Sequence, residues 1–146
     1  MSFRPRVIPT LLLKEGALVK GRRFRRHEYV GDPVNAVRMF DTFGADELVL
    51  LDIGASRARR PIDPELIRSI GEESGMPLAV GGGIRDLEAG RALIQAGAEK
   101  LVINEAWLDD PSVLSRFADE FGSSSIIAGI DVLTRRGRSR VYRHTT

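Results

Sequence analysis

The sequence has no cysteine, only two histidines and no long apolar run. The absence of cysteine excludes a disulfide framework, a thiolate metal site and a cysteine nucleophile. His27 and His144 leave little material for a histidine-based metal site, so we expect no metal and no cofactor. No apolar segment approaches the roughly 20 residues of a membrane span, and no apolar signal-peptide core follows the N-terminus. We therefore expect a soluble, cytoplasmic protein without a membrane partner.

Aromatic residues are also scarce, at 6%, and the net charge is only +2. Arginines nevertheless cluster in residues 22–26, 57–60 and 135–143. Such clusters suit nucleic acid, an anionic small molecule or mere solubility. Because no aromatic residues are regularly interleaved with them and no nucleic-acid motif is present, we expect no nucleic-acid partner.

The sequence alternates apolar runs with amphipathic segments. Asp-Pro pairs at Asp32, Asp63 and Asp110 combine a helix N-cap with proline at the first helical position. Five apolar runs predict buried parallel strands, at residues 6–13, 47–52, 78–80, 100–104 and 125–131. Residues 14–31 form a connection too long for an ordinary βα loop, which indicates a functional or mobile segment.

An internal repeat favours a barrel over a doubly wound sheet. Residues 44–52 resemble residues 97–105, and the two segments begin 53 residues apart, about two βα units. A closed (βα)8 barrel needs at least about 200 residues. We therefore predict an α/β protein of TIM-type barrel family, with residues 1–146 forming one half-barrel domain of four βα units plus a fifth strand. The basic tail after residue 132 allows a hairpin.

Residues 77–85, with the sequence PLAVGGGIR, organise the predicted site. A short buried strand breaks into three glycines, and a helix opens at Asp86. Glycines expose backbone N–H groups, and a helix N-terminus favours an anion. This pattern predicts a phosphate cradle at the three glycines, residues 81–83, although a tight βα turn that binds nothing would have the same sequence.

Other polar residues end the predicted strands. In a barrel the carboxyl ends of the strands carry the active site, and here they present Asp52, Asn104 and Asp131. Each aspartate is either functional or a cap for the following loop. Asn104 either holds a phosphate oxygen or forms an Asx turn.

The opposite strand ends carry charges of both signs. Arg6, Glu47 and Lys100 begin their strands, so we expect them to converge at the N-terminal mouth of the barrel. A salt-bridge ring there usually means stability. Lys14 and Lys20 in the long connection either reach an anionic ligand or stay solvated.

Nine segments together resemble the cyclase subunit of imidazole glycerol phosphate synthase, over essentially the whole chain but only the N-terminal half of that family. They are Arg6-Val-Ile-Pro, Lys14-Glu-Gly, Val19-Lys-Gly, Gly31-Asp-Pro, Ala45-Asp-Glu-Leu-Val, Leu51-Asp-Ile, Val80-Gly-Gly-Gly-Ile-Arg, Ile103-Asn and Ile130-Asp. The resemblance implies a βα barrel of two similar halves. It also implies that a glutaminase partner at the N-terminal face supplies ammonia for a phosphorylated ribulosyl substrate at the C-terminal face.

The same resemblance implies roles for individual residues. Gly82, Gly83 and Asn104 would hold a substrate phosphate, with help from Lys20 in the first loop. Asp131 would be the catalytic acid/base, and Asp52 a polar support within the catalytic site. Three residues would form an ammonia gate: Arg6, Glu47 and Lys100.

Leu12 departs from the family pattern. The family has a second catalytic aspartate there, at the end of the first strand, and leucine cannot transfer a proton. The Leu-Leu-Leu-Lys-Glu-Gly segment resembles a paralogous branch that converts an acetamido group of a surface-polysaccharide sugar to an acetamidino group. The expected function is thus an ammonia-dependent synthase subunit of histidine-biosynthesis or polysaccharide type.

A function of another class is also compatible with Leu12. The chain would then be a non-catalytic half-barrel that binds phosphate or a glutaminase. Its two open parallel strand edges would allow a symmetric homodimer.

Overall fold

The computed structural model describes residues 4–144, and the helices after Asp32, Asp63 and Asp86 begin where the sequence predicts. The helix after Asp110 begins one residue later than predicted, at Ser112, with Pro111 as its N-cap, and a short helix that begins at Glu105 was not predicted. The carboxylates of Asp32 and Asp63 cap their helices by accepting from the N–H groups of Asn35 and Glu65. Asp110 accepts from both the N–H and the hydroxyl of Ser112. The helices are α1 (Pro33–Thr42), α2 (Pro64–Glu73), α3 (Leu87–Gln95), α4 (Glu105–Asp109) and α5 (Ser112–Phe121), with one 3-10 turn (Ser123–Ser125).

A seven-stranded sheet has the order β3-β2-β1-β4-β5-β6-β7, and its last five strands are parallel. The strands are β1 (Thr10–Lys14), β2 (Ala17–Arg22), β3 (Arg25–Gly31), β4 (Leu48–Asp52), β5 (Leu78–Gly81), β6 (Lys100–Ile103), β7 (Ile126–Ala128), β8 (Val132–Arg135) and β9 (Arg138–Val141). Strands β1, β4, β5, β6 and β7 pair in parallel register. The half-barrel of four βα units and a fifth strand is therefore confirmed, although the first and fifth strands are shorter than the apolar runs that predicted them.

The two faces of the parallel sheet differ in burial. Leu48 and Leu50 of β4 are fully buried beneath the helices, whereas Val49 and Leu51 alternate with them and are only half-buried. The helix-side core includes Phe117 of α5, which is 1% exposed. Because side chains alternate across a strand, Val49 and Leu51 face the side that would be the barrel interior.

The long connection after β1 is an ordered hairpin. Residues 14–31, expected to be a long loop, fold into β2 and β3, and β2 pairs antiparallel with β1 through Leu12↔Val19. The turn has positive φ at Glu15 (54°) and Gly16 (78°), which matches the two-residue turns that connect twisted strands. The expectation of two open parallel edges is thus wrong in part, because β2 covers β1 from Leu12 to Lys14.

The basic tail forms the second hairpin, as its sequence allowed. β8 and β9 pair around Gly137, and the chain then returns to the sheet through a hydrogen bond from Tyr142 N to Asp131 O of 2.8 Å. Arg143 reaches α4, where it pairs with Glu105 at 3.4 Å and with Asp109. The end of the described chain is therefore anchored over the carboxyl ends of β6 and β7.

Candidate functional site

A cavity of about 390 Å³ lies at the carboxyl ends of the parallel strands. Predicted site residues from four loops line it, including Asp52, Gly82, Asn104 and Asp131. The parallel register places the ends of β4, β5, β6 and β7 side by side, so residues far apart in sequence meet here. The sequence-based expectation of their convergence agrees with this geometry.

The glycine loop is shaped by its neighbours. Gly82 and Gly83 have φ of 123° and 64°, in the range that disfavours side chains. A Cβ on Gly82 would lie 2.5 Å from Asp52 O, and one on Gly83 would overlap the carbonyl oxygen of Arg60. Both glycines are therefore required for packing against the loop between β4 and α2, whether or not they hold an anion.

Some backbone N–H groups at the N-terminus of α3 already have hydrogen-bond acceptors within the chain. Asp86 accepts a hydrogen bond of 2.8 Å from Ala89 N, and Glu88 adds a second acidic residue in the first turn. The negative charges of these carboxylates partly neutralise the positive end of the helix dipole. The expected contribution of this helix to anion binding is consequently weaker than the sequence predicts.

Asn104 and Asp131 form a direct side-chain pair. Asn104 Nδ2 donates to Asp131 Oδ2 at 2.8 Å. Asn104 Oδ1 is buried and has no hydrogen-bond partner among residues 4–144. One of the two amide hydrogens of Asn104 is therefore engaged by Asp131, and the buried Oδ1 can accept a hydrogen bond from an N–H or O–H group of a ligand.

Asp131 is held as an anion. His144 Nε2 lies 2.7 Å from Asp131 Oδ2, the oxygen that also accepts from Asn104. The hydrogen bond from His144 lowers the pKa of Asp131 below its usual value, and partial burial opposes this shift. The charge of His144 and the hydrogen bond from Asn104 lower the pKa further. A group held ionised beside a cavity can accept a proton.

Asp52 is engaged with its own loop. Its Oδ1 accepts from Gly54 N at 2.9 Å and Ala55 N at 3.1 Å, and its Oδ2 accepts from Arg60 Nη1 at 2.9 Å. Asp52 is only 7% exposed. These contacts are those of a loop cap, which was the structural alternative for this carboxylate.

Two further residues of the first loop differ in position. Lys20 is exposed on β2 and is not among the described residues that line the cavity, whereas Lys14 is. Leu12 lines the cavity with its apolar side chain, so β1 offers no carboxylate at that point. The phosphate role of Lys20 remains a prediction.

The three charges expected at the other mouth do meet. Lys100 Nζ lies 2.5 Å from Glu47 Oε1, and Arg6 Nη1 lies 3.8 Å from Glu47 Oε2. Glu47 is 4% exposed, so it is a buried anion between two cations. Their position is the one that the sequence predicts; their role in ammonia passage remains a prediction.

Three ring side chains that line the cavity were not predicted from the sequence to meet: Phe24, Tyr142 and His144. Phe24 stacks on Tyr142 with ring centroids 4.4 Å apart and planes at 8°, and His144 meets both rings edge-on. Aromatic pairs of this geometry are stabilising beyond the area they bury. The only sequence signal was the presence of Phe24 and Tyr29 in the first hairpin and Tyr142 in the tail, which did not indicate pairing.

The described residues also define two absences. No group of three or more histidine and acidic side chains within residues 4–144 could hold a metal ion. Across the same part of the chain, every helix is too short or too polar to cross a membrane.

The parallel βα arrangement, the glycine loop and the polar strand ends define one half of a TIM-type barrel. A family profile described as "Histidine biosynthesis protein" matches residues 6–146, and the chain belongs to that family.

Individual proteins of known name are also similar to this chain. The chain is 43% identical over 140 residues to imidazole glycerol phosphate synthase subunit HisF of Maricaulis maris, covering 96% of this chain and 55% of that protein. It is 48% identical over 128 residues to a Pseudomonas aeruginosa protein named provisionally as the hisF2 subunit, covering 88% and 51% of the two chains. The chain spans about half the length of the curated relatives it matches.

Proposed function

We propose that this chain supplies half of the active site of an ammonia-using, lyase-type cyclase subunit, working with a glutaminase partner as in imidazole glycerol phosphate synthase. The observation that carries the proposal is that two polar centres lie at opposite ends of the same parallel strands. Asp131 and Asn104 lie at the carboxyl ends of the strands, and Glu47 and Lys100 lie at the amino ends. Ammonia would enter at the second centre and react at the first.

An anionic, phosphorylated substrate fits the cavity. Lys14, Arg23, Arg57 and Arg85 line it, and the glycine loop adds backbone donors beside them. The phosphate would contact the loop at Gly83 and the guanidinium groups, which form charge-assisted hydrogen bonds. Lys20 would join only after the β2–β3 hairpin moves.

Asp131 would transfer the proton. Its Oδ2 is held by two donors, while no hydrogen bond to Oδ1 is present within residues 4–144. Because Asp131 lines the cavity, this second oxygen would accept a hydrogen bond from a substrate N–H or O–H group. Asp52 would support the loop that frames the site.

Leu12 favours the polysaccharide-modifying branch over histidine biosynthesis. It lines the cavity where a second acid/base group would be needed to close an imidazole ring. Conversion of an acetamido to an acetamidino group has different proton demands, and the substrate would be a phosphorylated or nucleotide-linked sugar.

Leu12 and the engaged Asp52 also support a second candidate. The chain would then bind phosphate or a glutaminase without catalysis and associate with a second copy through its uncovered sheet edge. Within the described residues β7 pairs only with β6, so its outer edge offers free backbone groups.

The test compares ammonia-dependent turnover of an enzyme in which this chain is combined with the complementary half-barrel and the glutaminase, on a phosphorylated ribulosyl substrate and on an acetamido sugar. Asp131→Asn should reduce turnover at least about 100-fold. Asp119→Asn, on the exposed face of α5, is the matched control and should leave it unchanged. Near-normal activity of Asp131→Asn would remove this residue from the mechanism. Phosphate binding without turnover of either substrate would instead establish the second candidate.

A further inference from the structure

His144 is the one group against Asp131 to which the sequence assigned no role. We propose that His144 is a positioning residue: its Nε2–H holds Asp131 Oδ2 and thereby directs Oδ1 to the substrate. This inference rests on the proposed function, since the proton that Asp131 exchanges is that of the proposed reaction. The ligand served would be a substrate with an N–H or O–H group near the buried Asn104 Oδ1.

The backbone of His144 is fixed on both sides. His144 N donates to Glu105 Oε1 at 2.6 Å, and His144 O accepts from Arg57 Nε at 3.0 Å. Glu105 is 4% exposed and begins α4, directly after Asn104. One short segment of chain therefore supplies both the amide that contacts Asp131 and the carboxylate that fixes its histidine.

The ring of His144 is also confined. It meets Phe24 edge-on at a centroid distance of 5.7 Å and Tyr142 at 5.0 Å. These contacts limit the rotation of the imidazole, so Nε2 stays directed at Asp131. A residue outside regular secondary structure is thus held by hydrogen bonds at its backbone and by aromatic rings at its side chain.

The bond between His144 and Asp131 has a defined direction. An aspartate carboxyl of ordinary pKa is already ionised near neutral pH, so the Asp131 carboxylate can only accept a hydrogen bond. Nε2 must then carry the proton. The charged groups around the pair are Glu105, Arg57, Arg143 and, across the cavity, Lys14.

The test is a carboxyl titration of Asp131 by carbon-detected NMR in the full chain. His144→Phe should raise the pKa of Asp131 toward its ordinary value, because phenylalanine keeps an aromatic ring but has no hydrogen-bond donor. His27→Phe is the matched control, since it changes the only other histidine, and should leave the titration as it is. An unchanged Asp131 titration in folded His144→Phe, with a circular dichroism spectrum like that of the wild type, would overturn the proposal.

A second measurement needs no variant at position 144. Nitrogen correlation spectra of the wild-type chain contain two imidazoles, which His27→Phe separates. His144 should show the Nε2–H form at neutral pH; an Nδ1–H tautomer would overturn the proposal. Both readouts are independent of turnover, so absence of enzymatic activity would contradict only the proposed function. Where turnover is measured, His144→Phe should move the acid limb of the pH profile to higher pH and lower kcat more than it changes KM.

Discussion

Glu47 and Lys100 lie 53 positions apart in the chain, and their side chains meet at 2.5 Å. The spacing is that of the internal repeat, so the two residues occupy equivalent positions in their units. They belong to alternate units of the sheet, which in barrels supply the same layer of interior side chains. Duplication therefore placed two copies of one position together, and opposite charges made the contact favourable.

Removal of the Lys100 charge should destabilise the fold, because the buried Glu47 carboxylate loses its nearest counter-charge. We expect Lys100→Met to lower the free energy of unfolding by about 3 kcal/mol, because Glu47 stays buried with only the distant Arg6 as partner. Urea unfolding measures this loss. The double variant Glu47→Gln/Lys100→Met should recover most of it; a double variant no more stable than Lys100→Met would contradict the explanation.

Gly83 should tolerate no side chain. Gly83→Ala would place a methyl group on Arg60 O, so we expect a loss of about 3 kcal/mol or more in unfolding free energy, or failure to fold. Gly44 is the matched control, with φ of +71° against +64° and nothing within 4 Å of the point that a Cβ would occupy. Gly44→Ala should cost only about 1 kcal/mol, which is the strain of the left-handed backbone. Equal losses in thermal or urea unfolding would refute the packing argument.

Asp131 should make the stability of the chain sensitive to acid. Its pKa is lower in the folded than in the unfolded state, so its stabilising contribution is present above its ordinary pKa and is lost as pH falls through the lowered value. We expect Asp131→Asn to reduce Tm at pH 7 and to make little difference at pH 2. A Tm difference that persists unchanged in acid would show that the ionised carboxylate is not the cause.

Phe24 should anchor both hairpins. Phe24→Ala removes the stack on Tyr142 and should increase the rate of proteolysis at Arg23 and in residues 135–143 together. Tyr29→Ala on the same hairpin is the matched control, because Tyr29 is 73% exposed. Mass spectrometry of limited tryptic digests would report both sites. Faster cleavage in the first hairpin alone would show that the stack does not hold the tail.

Local signals made much of this fold predictable. The Asp-Pro pairs at Asp32 and Asp63 determine helix starts through contacts within three residues. The apolar runs identified five strands because buried parallel strands need no polar face. The convergence of Asp131 with Asn104 followed from the rule that parallel strands end together.

The two hairpins contain the features that sequence could not supply. Arg23 and Phe24 turn between β2 and β3 with φ of 52° and 59°, a conformation that sequence normally marks with glycine or asparagine. The β3 strand is polar and exposed, so it has no apolar alternation. His144 meets Asp131 only through the register of β8 and β9, which no local pattern specifies.

The stack of Phe24 on Tyr142 has a topological consequence. Phe24 follows a strand beside β1, and Tyr142 follows the segment after β7, the two outermost parallel strands. The contact therefore closes a circuit around the cavity mouth although the hydrogen-bonded sheet remains open. The two outermost parallel strands are thus linked across the cavity by aromatic side chains, in addition to their connection through the backbone of the sheet.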